Sequence, residues 1–433
     1  MDEVKKWTFY LMMLVAGFAT GIGTIGLFPQ MWLEFGLTGL MVHIVFLAIL
    51  TYLAISETEV IMKSEYFFTE VYTKLTRKPG MIFAILTVGV MFLSYYTANV
   101  GLSLLAPVLG TGTLGRLIAK IIIIALIFVI ISRAKEKTFL IMALGGLLFI
   151  LLIFIITLIS AVQIPRGPEY SDLAKRLLMF QPITWELVRA ATDRAVYGVG
   201  LGIGFYIMLG SFINERFNAK TIIGGGVLIQ LLMGLLSTIS VVHILPLTGP
   251  EVTHNYIYGG EEGALAMLGV LPKALSNNPL ILLLFFLGLF MAGLTSILPT
   301  AEVDLQILQS TMKMGRTKAA VYVMGIVLLL GILDSPPVVA DMMLKATSTA
   351  ILATAIFEMY PVIAGIRKPT QLQLITAAIS GVIFAIGFIV QSLYDITLGG
   401  VYYASLVLAL IVAALGIVGE SVVPAPKKES SGE

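Results

Sequence analysis

Ala16-Gly17-Phe18-Ala19-Thr20-Gly21-Ile22-Gly23-Thr24-Ile25-Gly26-Leu27-Phe28-Pro29 sits inside the first long apolar run, Trp7 to Phe35, where a plain membrane span would continue as Leu, Val and Ile. Four glycines, two threonines and a proline stand there instead, at about the depth where a bilayer is driest. Glycine is the costliest ordinary residue in a helix interior, and proline removes a backbone donor and clashes with the preceding turn. Two readings follow. The glycines let neighbouring helices pack closely, or the helix is discontinuous and its bare carbonyls hold an ion or substrate. The second is tolerated at that depth only where the backbone is buried in protein or lines a polar cavity.

Composition bounds the rest. The chain has 433 residues, is 58% hydrophobic and only 12% charged, which is the profile of a polytopic membrane protein. Its formal net charge of +2 gives no electrostatic case for nucleic acid. With no cysteine, disulfides, thiol catalysis and thiolate metal sites are excluded. His43, His243 and His254 lie too far apart for a zinc spacing. The first span starts after six residues and lacks a small-residue cleavage signal, so it is expected to be retained.

Apolar runs of spanning length fall near 8–33, 39–61, 80–108, 115–132, 138–163, 193–213, 219–247, 279–308, 318–334, 346–366, 371–393 and 399–419, twelve in all. An N-terminus inside puts Lys5, Lys6, Lys74, Arg77, Lys78, Arg133, Lys135, Lys137, Lys313, Arg316, Lys318, Arg367 and Lys368 on the cytoplasmic side, with Lys427 and Lys428. The expectation is a multi-pass protein of the cell membrane with both termini cytoplasmic, as a monomer or homodimer in the lipid bilayer. Two outer connections are long. Residues 163–192 include an amphipathic stretch, Leu173 to Phe180, and 248–278 include Asn255-Tyr256 and Gly259-Gly260-Glu261-Glu262. Such loops serve as lids or as inert covers. The tail, 421–433, reads as disordered.

Span 6 repeats the anomaly of span 1 in Tyr197-Gly198-Val199-Gly200-Leu201-Gly202-Ile203-Gly204-Phe205. Each interrupted span is the first of five if the chain is divided into spans 1–5 (about 8–163) and 6–10 (about 193–366). Interruptions at corresponding positions of two halves point to a transporter site at an inverted-repeat interface, and an odd number of spans per half makes the halves inverted. The expected fold is an all-α polytopic membrane protein. About twelve transmembrane helices form a 5+5 inverted repeat with discontinuous helices 1 and 6. Spans 11–12 (about 371–419) complete a transporter domain over 1–420.

Four motifs carry a resemblance. They are Gly17 to Thr24 followed by Phe28-Pro29; Glu57 or Glu59 in span 2; Tyr95-Tyr96 in span 3; and Phe285-Phe286-Leu287-Gly288-Leu289-Phe290-Met291-Ala292-Gly293-Leu294-Thr295-Ser296 in span 8. In this order they resemble the neurotransmitter:sodium symporter family, in its bacterial leucine transporter branch, over roughly spans 1 to 8. The resemblance implies a sodium ion held by carbonyls of Gly17 and Thr20, the carbonyl of Ala292, and the hydroxyls of Thr295 and Ser296. Neutral oxygens from an unwound helix and adjacent hydroxyls suit a hard monovalent cation. For a second sodium it leaves Ala19, Thr24 and Gln230, with Gly198 where the family has a hydroxyl. One sodium is the expectation, the second site staying open, with no organic cofactor. Tyr96, with backbone donors near Ala19, Gly21 and Gly23, is implied to hold a substrate carboxylate at a half-helix N-terminus. Phe92, Tyr197, Gly200, Ile203 and Thr300 are implied to line the rest of the pocket, which contains no acid. That favours a neutral, apolar or aromatic amino acid.

Departures and charges matter too. The family's outer-gate arginine is Leu27 here, Asp341 does not align with its partner, and the cytoplasmic gate pair is not recognisable. A charge at the helix centre costs about 3 kcal/mol on insertion scales. Glu302 and Asp304 are expected to be solvated in an inner vestibule. The inward-facing one of Glu57 and Glu59 is expected to bond the broken backbone of span 6, and His43 to pack within the bundle. The leading function is a sodium-coupled symporter and not an enzyme. A proton-coupled amino acid permease of the same fold and a non-transporting membrane receptor are the alternatives.

Overall fold

The computed structural model describes residues 3–133 and 135–419, so the expected disordered tail, 421–433, lies outside the described residues. Within them every regular element is helical. Among the described residues, nine helices are long and apolar enough to cross a membrane. The longest, Ile22–Ser64, is two spans, because Gly36 (φ 60°, ψ −154°) turns the chain inside it. Residues 22–35 complete span 1 and 37–64 form span 2. Adding that division, the split span 6 (Trp185–Val199 and Phe205–Gly210) and Tyr402–Val418 gives twelve crossings among the described residues.

Two spans begin earlier than their hydropathy indicates, for one reason. Span 10 starts at Pro337 and span 6 at Trp185, each with charged residues in its outer turns. In span 10 those charges are partnered: Lys345 lies 3.9 Å from Asp341, which accepts a 2.6 Å hydrogen bond from the Tyr402 hydroxyl of span 12.

The opening glycines both pack helices closely and accompany a break in the helix, at different positions. A Cβ on Gly17 would lie 3.1 Å from Cα of Gly146 and 3.2 Å from Cβ of Thr295, so spans 1, 5 and 8 meet with almost no side chain between them. The helix break itself falls later, at Thr20 and Gly21. Spans 3, 4 and 9 are pinned by a fully buried ion pair between Lys120 and Asp334. Lys120 also donates to the Gly331 carbonyl at 3.0 Å, and Asp334 accepts from the Ser94 hydroxyl at 2.8 Å. Partnered on every side, that pair fixes geometry between three helices.

The outer loops dock on the bundle. In 163–192, helix Pro168–Leu178 covers the span 1–span 2 turn, where Trp32 donates to the Leu177 carbonyl at 3.0 Å and Leu37 N–H to Met179 at 2.9 Å. In 248–278, helices Pro250–Tyr258 and Gly260–Ala274 bring the fully buried Tyr256 against span 1. Its hydroxyl donates to the Gly26 carbonyl and its own carbonyl accepts from Gln30.

Three expectations about charge are corrected. Glu302 and Asp304 are not solvated; both are fully buried. Glu302 takes a bidentate pair from Arg316 at 2.8 and 2.6 Å, which offsets its desolvation. Asp304 packs against Gly89 and has no hydrogen-bond partner among the described residues. Glu57 faces inward, but its oxygens bond nothing among the described residues, and the backbone of span 6 is held by Glu358 instead. His43 packs within the bundle as expected, edge-on to Phe28 with Nδ1 3.2 Å from the Ala191 carbonyl.

Candidate functional site

The two breaks face each other. In span 1, helix Glu3–Ala19 stops, Thr20 and Gly21 interrupt it, and Ile22 starts the next segment, whose first amides point free of any preceding turn. In span 6 the chain runs through Gly200, Gly202 and Gly204 at φ 83°, 89° and 85°. Side chains satisfy that backbone. The Glu358 carboxylate accepts from Gly202 N–H at 2.6 Å and from Gly204 N–H, Thr354 donates to the Gly202 carbonyl at 2.7 Å, and Tyr206 donates to the Val199 carbonyl at 2.6 Å. The Phe18 ring, just before the first break, lies 4.1 Å from that of Phe205, just after the second, and directly under Gly200.

Between the breaks is a cavity of about 160 Å³. Ala19, Gly21, Gly23, Tyr96, Tyr197, Gly200, Ile203 and Thr300, all singled out in the sequence, line it together. Phe92 is there as well, stacked on Tyr96 with centroids 4.6 Å apart. The Tyr96 oxygen accepts a 3.0 Å hydrogen bond from Ile22 N–H, the first amide of the second half of span 1. That bond leaves the phenolic hydrogen free to donate. One corner of the cavity therefore presents a hydroxyl donor and a helix N-terminus, an anion-seeking pair. Phe18, Phe28, Leu201 and Ile351 make most of the remainder apolar.

Next to this corner, oxygens gather. Ser296 Oγ lies 3.1 Å from the Ala292 carbonyl and 3.3 Å from that of Phe18, across the span 1–span 8 contact. Thr295 Oγ1 lies 3.1 Å from the same Ala292 carbonyl, and Gly17 packs on Thr295. The Gly17 carbonyl accepts from Thr20 N–H at 3.3 Å, in a loose turn. Gly17, Ala292, Thr295 and Ser296 thus meet at the span 1–span 8 contact, where the Thr295 and Ser296 hydroxyls also donate to carbonyls of their own helix and Thr20, at the break, donates to the Ala16 carbonyl; neutral oxygens of this kind suit a monovalent cation. Ala19, Thr24, Gln230 and Gly198 also line the cavity. A Cβ on Gly198 would lie 3.2 Å from Gln230 Nε2, and Gln230 Oε1 is buried without a partner among the described residues. One unclaimed amide oxygen fits a cation poorly unless Thr24 and backbone carbonyls join it.

Sequence reasoning missed the outer wall. Leu344, Ser348 and Ile351 of span 10 line the cavity, and their i, i+4, i+7 spacing would have put them on one helix face. Arg194 also lines it, one turn before Tyr197. A second, larger space of about 580 Å³ lies beyond, bordered by Gln30, Glu34, Glu186, Asp193, Lys345 and Gln391 and by the loop residues Tyr258 to Gly260.

No protein-family model and no curated protein matches the chain. Among solved structures, the crystal structure of MhsT in complex with L-phenylalanine aligns with a TM-score of 0.62 at 17% sequence identity, over 94% of this chain and 98% of that one. The chain is a membrane protein, all-helical among the described residues, with the fold of MhsT, as the motifs of spans 1, 2, 3 and 8 implied.

Proposed function

We propose that the chain is a sodium-coupled symporter that imports a neutral, apolar or aromatic amino acid across the cell membrane by alternating access, with both termini cytoplasmic. One observation carries the reading. The break in span 1 touches two places at once: the Phe18 carbonyl before it lies 3.3 Å from Ser296 Oγ of span 8, and the Ile22 amide after it meets Tyr96 at the cavity. A cation on the first side steadies the backbone that shapes the second, so the two ligands raise each other's affinity by the same factor. The apolar remainder of the cavity supports an apolar side chain, and the L-phenylalanine in the MhsT complex is consistent with that class.

The test is uptake of radiolabelled phenylalanine and leucine into proteoliposomes under an inward sodium gradient. Uptake should require sodium. Thr295→Ala with Ser296→Ala, which removes two charge-facing oxygens, should raise the half-saturating sodium concentration about tenfold or more. Equal uptake in sodium and choline sinks the sodium coupling, and uptake driven by a pH gradient alone favours the proton-coupled permease.

A further inference from the structure

The cavity and the outer space share only a thin partition. Leu27, Arg194, Tyr197, Leu344 and Ser348 line both, so these five side chains separate them. Leu27 stands where the resembled family has its gate arginine, and an isobutyl group offers no directed contact. Arg194 is the one charged member of the partition. It sits three residues before Tyr197 on helix Trp185–Val199, hence on the same face, and its guanidinium lies 5.4 Å from the centre of the Tyr197 ring. Its Nη1 reaches to 3.7 Å from where a Cβ on Gly23 would stand, so the side chain leans from span 6 across to the second half of span 1.

We infer that Arg194 is the outer gate of this chain, moved from span 1 to span 6. The assignment rests on the transporter reading and not on the identity of the cargo. A guanidinium has the properties the place requires. Its long stem swings without moving the helix, its planar head stacks on Tyr197, and its charge is permanent. The outer space supplies an opposing pull through Glu34, Glu186 and Asp193 on its walls, three acids against the two other cations there, Arg189 and Lys345. Swung outward, the guanidinium meets acids; swung inward, it covers the anion-seeking corner at Gly23. Glycine at position 23 leaves the space into which the head group leans.

The chain contains no cysteine, so single-cysteine accessibility has no background. Ile351→Cys and Phe92→Cys place reporters at positions that line the cavity and not the outer space, and Gln391→Cys places one in the outer space alone. The full-length protein in right-side-out vesicles is treated with a charged, membrane-impermeant methanethiosulfonate. Adding Arg194→Ala should accelerate labelling at both cavity reporters about tenfold, the equivalent of losing one desolvated cation–π contact, and leave Gln391→Cys unchanged. Arg194→Lys, which keeps charge but not the planar stack, should give an intermediate rate. Equal rates with and without Arg194 at both cavity positions overturn the assignment. So does an equal acceleration at Gln391→Cys, since that is general loosening. The measurement uses no amino acid, so a wrong cargo shows only in the uptake assay and a wrong gate only here.

Discussion

At the scale of single residues, two glutamates of nearly equal burial have opposite standing. Glu358 is fully buried and its carboxylate accepts two backbone amides of the broken span; Glu57 is 1% exposed and accepts nothing among the described residues. A buried donor left unpaired costs about 1–3 kcal/mol. Glu358→Gln keeps one acceptor oxygen but turns an NH₂ toward the second amide, so it should lower stability by about that amount and lower the melting temperature in detergent. Glu57→Gln removes a desolvated carboxyl that holds no bond, and should be neutral or slightly stabilising. Thermal unfolding of the two variants side by side checks this, and the reverse order would refute the role given to Glu358. From sequence, the span 2 glutamate looked like the backbone partner. Pattern alone places both acids in the bundle, but only the packing of span 10 against span 6 decides which one reaches the gap.

At the scale of elements, glycine-rich runs in spans 1 and 6 were both readable as interruptions, yet they work differently. The alternation at 198, 200, 202 and 204 encodes backbone shape directly, since three of these residues take positive φ. At Gly202 a Cβ would also meet the Ile351 carbonyl at 2.4 Å. Gly202→Ala therefore combines a left-handed strain of about 1–3 kcal/mol with a backbone clash, and should abolish uptake and reduce the folded yield. Gly26 lies in a continuous helical segment with nothing within 4 Å of an added Cβ. Gly26→Ala should be neutral or stabilise by up to about 1 kcal/mol. Folded yield and melting temperature of the pair test the distinction; similar losses would mean that the span 1 glycines also set backbone shape. The oxygens of spans 1 and 8 were legible because each half of that cluster is local in sequence. The outer wall was not: Arg194 sits among the charged first turns of span 6 and Ser348 in the middle of span 10, and nothing local in sequence says that they meet.

At the scale of the whole molecule, alternating access needs one end sealed while the other opens. The expected cytoplasmic end closes through contacts of two kinds. Glu302 on span 8 is held by Arg316 at the start of span 9, and Arg316 also donates to the Thr138 hydroxyl of span 5 at 3.3 Å. These ties join span 5 to spans 8 and 9, and the Glu302 end of them is fully buried. Span 6 joins them through Phe212, whose ring carries the Lys135 ammonium 3.3 Å above its centre and packs 5.2 Å from Phe139. If spans 1, 2, 6 and 7 rock against spans 3, 4, 8 and 9, with the start of span 5 held to the second group through Thr138 and Arg316, the Lys135–Phe212 contact must break in each cycle while the Glu302–Arg316 pair persists. A cation–π contact is worth about 0.5–2 kcal/mol, so Lys135→Ala should raise the population open on that side by roughly two- to thirty-fold. Lys135→Arg should keep it near the starting value. Glu302→Gln, which leaves Arg316 with half its partner, should lower stability by up to about 3–5 kcal/mol without shifting that ratio. Spin labels on Lys137→Cys and Glu215→Cys, both exposed, would report the opening as a longer distance in pulsed dipolar spectra. If Lys135→Ala leaves the distance distribution unchanged while Glu302→Gln shifts it, the moving boundary runs between spans 8 and 9, and the division of the molecule into these two groups is wrong.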